Sequence, residues 1–147
     1  MPWLNKTAGL YWAGKTTGSF QEGSNSQDWK PHHRQRFVSF CNGLETRNHT
    51  YLWRPEGSMA WQNCTSGVLD QSLYHVRFTD IVQYADQTTK DAIRGYFKIH
   101  EMESREAAFR YTLTFDLDGN GHSGRFYRLL NSRSLPLKQT VFREWHD

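Results

Sequence analysis

Within FDLDGNGHSG, residues 115–124, Asp116, Asp118 and Asn120 stand two residues apart and Gly121 follows directly. Oxygen-bearing side chains at that spacing, with glycine in the sixth place, are what the first half of an EF-hand loop uses to wrap calcium. The second half does not follow. Such a loop needs a helix before it and a bidentate glutamate at its twelfth position. Here the twelfth residue is Tyr127. The residues before the loop alternate as a strand does, with Phe109, Tyr111, Leu113, Phe115 and Leu117 against Arg110, Thr112, Thr114 and Asp116. Calcium is the poorer reading.

The better one is a strand, a glycine-rich turn and a helix. Gly119, Gly121 and Gly124 let the backbone turn sharply and approach a ligand closely. Unpaired N–H groups at a helix start, with the positive end of its dipole, favour an anion. Ser123 can cap the helix or donate its hydroxyl. Arg125 falls in the first turn, where a cation is unfavourable without an anionic partner. A purely structural turn, capped by Ser123 with Arg125 solvated, fits the same pattern equally well. The seven histidines show no metal-ligand spacing; His32 and His33 are adjacent and diverge on a helix, and only His122 lies inside the turn.

The elements that must position this turn read as follows. GLYWAG (9–14) is a short buried strand, and KTTGSFQEGSNSQD (15–28) a polar loop. A helix is expected over 31–44, with Pro31 in its first turn and Phe37, Phe40, Cys41 and Leu44 recurring at three- and four-residue steps. After a long variable stretch come a strand over 73–82 and a helix over 88–102, with Ile93, Phe97 and Met102 on one side. A strand over 109–117, a helix over 124–134 and a last strand over 135–142 complete the chain. Alternating strands and helices predict an α/β domain, three-layered, with a mostly parallel sheet and 109–117 as a central strand. Its buried face should include Trp12, Phe37, Val76, Phe78, Leu113, Phe115, Phe126 and Leu129.

The 147 residues suffice for one core, and 15% of them are aromatic. No run of some 18 apolar residues could span a membrane, and no targeting segment is evident. A net charge of +3 is too small and dispersed to argue for nucleic acid. Three of the seven asparagines, Asn5, Asn48 and Asn63, open N-x-Thr acceptor triplets, which tilts the reading towards a secretory-pathway parent. Cys41 and Cys64 could pair there.

YWAGKTTG (11–18), HHRQRFV (32–38), FDLDGNGHSGRFYRLLNSRSLPLKQT (115–140) and FREWHD (142–147) together resemble family 90 glycosyltransferases, the fungal capsule-associated branch more than the animal protein O-glucosyltransferases. The blocks run in order along the chain, and the 115–140 block is long and specific. The resemblance implies a Rossmann-like domain similar to the C-terminal, donor-binding half of a GT-B enzyme. It implies an inverting, metal-independent transfer of glucose or xylose from a UDP-sugar to a glycan or protein hydroxyl. Gly119, Asn120, Gly121, Ser123, Gly124 and Arg125 would then carry the diphosphate. Gly14, Lys15, Thr16 and Thr17 would approach sugar or phosphate, and Glu144 would accept from ribose hydroxyls. Many relatives read Trp-Arg-Gly-Ser where this chain has Ala13 and Lys15, so an ammonium stands near a lost guanidinium. Arg34 and Arg36 are weaker candidates and equally fit a solvated helix face.

In relatives the catalytic base is an aspartate of an N-terminal half that precedes these blocks. The chain therefore reads as a partial domain spanning 1–147, without the acceptor half and the C-terminal end, binding its donor but transferring no sugar alone. A parent enzyme in the Golgi or endoplasmic reticulum lumen is expected, reaching the membrane only through an anchor outside this chain. A sugar-nucleotide-binding module without catalysis is the alternative.

Overall fold

The computed structural model describes residues 1–21, 28–45, 48–66 and 69–142. Strands β1 (Thr7–Lys15), β4 (Tyr74–Asp80), β5 (Tyr111–Leu117) and β6 (Leu135–Gln139) form one sheet in the order β4-β1-β5-β6, with every neighbouring pair parallel. Helices α1 (His33–Cys41), α2 (Gln87–Tyr96) and α3 (Arg125–Leu130) join them. The domain is α/β with helices on both faces of a parallel sheet, compatible with a Rossmann-like fold. Strands β2 (His49–Trp53) and β3 (Gln62–Ser66) pair antiparallel as a separate hairpin.

Neighbouring β1 residues divide the interior in two. Trp12 points to one face and packs edge-on against Phe37 of α1 and Phe78 of β4. Val38, Cys41, Ile93, Phe97 and Trp29 complete that cluster, all essentially buried. Gly14 is required beside it, because a Cβ there would meet the Trp12 ring at 2.8 Å. Tyr11 and Ala13 point the other way. They meet Leu129 of α3 and Ala107 and Ala108, which lie on a 3-10 turn over Arg105–Arg110. The expected single buried face is therefore two: Trp12, Val76 and Phe78 are buried on the first and Leu129 on the second, with Phe37, Leu113, Phe115 and Phe126 half-buried.

Several element bounds differ from expectation. Asp86 caps α2 by accepting from the Thr89 N–H at 2.7 Å, but the helix ends at Tyr96, not at 102. Phe97 leaves helical geometry to place its ring 5.0 Å from Phe78, and Ile99 then bridges to Phe78 beside β4. Met102 is exposed in consequence. The hairpin β2–β3 fills the stretch read as variable; its strands lack an apolar alternation, because Tyr51, Leu52, Trp53 and Trp61 are all exposed. Leu44 is exposed as well, while α1 buries Arg34, Gln35 and Ser39.

In β5 polar positions of the alternation are buried as well, with Thr114 and Asp116 at no exposure. An interior strand of a parallel sheet is covered on both sides. The polar face of β5 lines a site.

Cys41 and Cys64 are free thiols, and burial pushes the Cys41 thiol up to about 12. Asn5, Asn48 and Asn63 are exposed. Among the described residues, no helix is long and apolar enough to cross a membrane.

Candidate functional site

The chain leaves β1 towards β4 on one side of the sheet and leaves β5 towards β6 on the other. Between β1 and β5, at their C-terminal ends, the strand order reverses. Loops diverge at such a point and leave a crevice, where open α/β sheets place their ligands. The two loops singled out by sequence, 14–18 and 119–125, are the ones that meet there. The Gly18 N–H donates to Asn120 Oδ1 at 3.0 Å. Gly18 has φ +106, and a Cβ on it would stand 3.3 Å from the Gly119 carbonyl oxygen, so glycine serves both the turn and the close approach.

Arg34 holds the crevice together. From α1 its guanidinium donates to the carbonyls of Leu117 and Asp118 at 2.8 Å each, to the Lys15 carbonyl at 2.9 Å and to Thr17 Oγ1 at 2.6 Å. One side chain thus ties the end of β1 to the end of β5. Sequence reasoning weighed Arg34 against a solvated helix face; it is 5% exposed. Arg36 takes that exposed face instead. Burial, and then the like charge of Arg125, draw the Arg34 pKa down to about 10, so it remains a cation at neutral pH.

The two aspartates of the turn accept bonds from within the chain. Asp116 Oδ1 takes the Ser123 hydroxyl at 2.6 Å and Oδ2 the Lys138 ammonium at 3.3 Å. Asp118 Oδ1 takes the Ser123 N–H at 3.2 Å and Oδ2 the Val141 N–H at 3.1 Å. Ser123 Oγ also accepts from the Arg125 N–H at 3.3 Å, one residue beyond the N-cap Gly124. The carboxylates therefore shape the turn. They leave its tip open: the N–H groups of Asn120, Gly121 and His122 meet no protein acceptor among the described residues. Successive free N–H groups in a turn make an anion-binding concavity.

Beside the turn, on the α3 face of the sheet, lies a cavity of about 580 Å³. Gly14, Lys15 and Thr17 from the first loop and Gly124 and Arg125 from the second reach it, as does Arg34. Arg125 donates to the Ala13 carbonyl at 3.0 Å across β1. Burial lowers its pKa, opposed by the Asp116 carboxylate and reinforced by the like charge of Arg128. Arg105 and Arg128 add two further cations to the lining, against one carboxylate, Glu103. The cavity is strongly electropositive.

Five predicted residues, Thr16, Gly119, Asn120, Gly121 and Ser123, stand apart from its lining. Thr16 is fully buried, and its hydroxyl donates to the Val82 carbonyl and accepts from the Val82 N–H, at 2.9 Å each. Gly119 and Asn120 line a neighbouring cleft of about 410 Å³ with Gly18, His33 and Thr140. Glu144 lies outside the described residues. His122 is exposed, and among the described residues no three His, Cys, Asp or Glu side chains come together as a metal set.

Sequence reasoning missed Thr114, Tyr11, Glu103 and Arg128. The signal for Thr114 was present, since a polar residue on an interior parallel strand must be buried. No periodicity marks Glu103, which follows α2 in irregular chain. No protein-family model, curated protein or solved structure matches the chain.

Proposed function

We propose that the chain binds the nucleotide diphosphate of a UDP-sugar as the donor-binding part of an inverting glycosyltransferase. One observation carries the reading: the two loops that bear the resemblance to family 90 glycosyltransferases meet at the crevice where the sheet reverses, beside a cavity lined by four guanidinium groups, those of Arg34, Arg105, Arg125 and Arg128. The diphosphate would lie between the open N–H groups of the 120–122 tip and the guanidinium of Arg125. Lys15, 44% exposed at the side chain and bonded to Asp80 at 2.9 Å, would stand at the mouth as a second cation.

The chemistry follows from charge. As the glycosidic bond to UDP breaks, negative charge grows on the departing diphosphate. Fixed N–H dipoles and a desolvated guanidinium stabilise that charge without reorganising. Arg34 contributes indirectly, because its donors are already engaged in holding the two loops in register. Glucose or xylose as the sugar, and a glycan or protein hydroxyl as acceptor, come from the resemblance.

Isothermal calorimetry with UDP in excess EDTA tests the reading. The chain should bind UDP with the chelator present. Arg125→Ala should weaken binding by about 10- to 100-fold, as expected for losing one charge-assisted contact of about 1.5–3 kcal/mol. Equal affinity in the variant, or binding that vanishes with chelator, would overturn it.

A further inference from the structure

The electropositive cavity holds one feature that a diphosphate does not use. Glu103 is the sole carboxylate on its wall among the described residues, facing Lys15, Arg34, Arg105, Arg125 and Arg128. Two side chains of β4 fix it: His75 Nε2 lies 2.7 Å and Arg77 3.5 Å from the same oxygen, Oε1. The His75 ring is stacked on Tyr11 at 5.3 Å with an interplanar angle of 14°. The second oxygen, Oε2, has no partner among the described residues. Thr114 Oγ1 is likewise unpartnered, on a side chain with no exposure at all, in the same lining. A buried hydroxyl without a partner costs stability unless something answers it.

The cavity is thus bipolar. Arg125 stands over β1 and β5, and Glu103 over the β4 edge, with Tyr11 and Ala13 as the floor between them. Strands lie about 4.8 Å apart, so the two ends are separated by roughly one to two strand spacings, about the length of a ring joined to a phosphate. A cationic ligand would be repelled by the five basic groups. A bare anion would leave Glu103 Oε2 without a hydrogen-bond donor. What satisfies both ends is an anion carrying neutral O–H donors.

We propose that Glu103 binds vicinal hydroxyls of the ring attached to the diphosphate, with Thr114 of β5 as a further polar group in the same lining, and so selects a hydroxylated nucleotide sugar over simple di- and polyphosphates. This rests on the UDP-sugar reading above. The ring is either the ribose of the nucleoside or the transferred sugar, which share the chemistry a carboxylate recognises. Were Glu103 only an ion-pair partner for His75 and Arg77, its neutralisation would alter stability and leave ligand preference untouched.

The test is calorimetry in EDTA on the whole chain and on Glu103→Gln, with pyrophosphate, UDP and UDP-glucose as probes. Pyrophosphate should bind the variant as well as or better than the parent, because a repelling charge is gone; this also shows the cavity intact. UDP should bind about ten- to a hundredfold more weakly if the ribose is the ring. If the sugar is the ring, UDP is unchanged and UDP-glucose loses its advantage over UDP by that factor. Parent-like affinity for all three probes, or one common factor across them, overturns the role of Glu103 while leaving the UDP-sugar reading standing. Failure of the parent chain to bind any probe overturns both.

Discussion

The two faces of the central sheet do different work with residues from the same strands. Towards α1 and α2, Trp12, Val76, Phe78, Ile93, Phe97 and Trp29 build a dense cluster in which aromatic rings meet edge to face. Towards α3, the buried apolar contacts among the described residues are Tyr11, Ala107, Ala108 and Leu129, and a cavity of about 580 Å³ takes the remaining space. Strand β5 serves both, giving Leu117 to the first face and Thr114 and Asp116 to the second. Apolar area stabilises in proportion to what is buried, so stability resides on the first face. The second gathers Lys15, Arg34, Arg105, Arg125, Arg128 and Glu103 around that cavity.

Breaking the first face should have the largest effect. Phe78→Ala removes a fully buried ring and should cost about 3–5 kcal/mol in urea unfolding. A loss below about 1 kcal/mol would mean that the α1–α2 face does not hold the fold.

Arg34 belongs to both faces, since its guanidinium lies 5.5 Å from the Trp12 ring and its donors reach the loop ends. Arg34→Met should cost about 3 kcal/mol, because buried carbonyls at Lys15, Leu117 and Asp118 lose their donor. Arg34→Lys should recover only part, as an ammonium cannot fork across two strands. Full recovery by lysine, in unfolding and in UDP affinity, would reduce Arg34 to a point charge.

The smallest effect has the opposite sign. Thr114→Val replaces an unpartnered buried hydroxyl by a methyl of similar size, so the free chain should gain about 1 kcal/mol or stay unchanged. UDP or UDP-glucose should bind more weakly at the same time. A gain in both stability and affinity would show that this hydroxyl meets no ligand.

Much of this division was legible in the sequence, and its limits have physical causes. The strand–turn–helix unit around 115–130 was readable because alternation switches to helical spacing across three glycines. Its helix is only six residues long, since the chain must turn back at Asn131 for β6 to pair with β5. The length of α2 was not readable. Phe97 fits a helical stripe as well as it fits the core, and only the tertiary pocket between Phe78 and Trp29 decides for an extended backbone. The loop 14–18 and the turn 119–125 were both identified as ligand-binding. That they meet is a property of strand order, which local pattern does not encode. Glu103, Arg128 and the clamp formed by Arg34 depend on contacts between segments far apart in sequence, as the separation of 84 residues between Arg34 and Asp118 illustrates.

The central claim is that the α3 face is the ligand face and the α1–α2 face is not. Amide chemical-shift mapping of the isotope-labelled chain, titrated with UDP in EDTA, addresses it most directly. Saturable shifts should concentrate at residues 14–18 and 119–125 and at Arg128, with Val38, Ile93 and Phe97 unmoved. Shifts centred on α1 and α2, or none at any UDP concentration, would contradict the account.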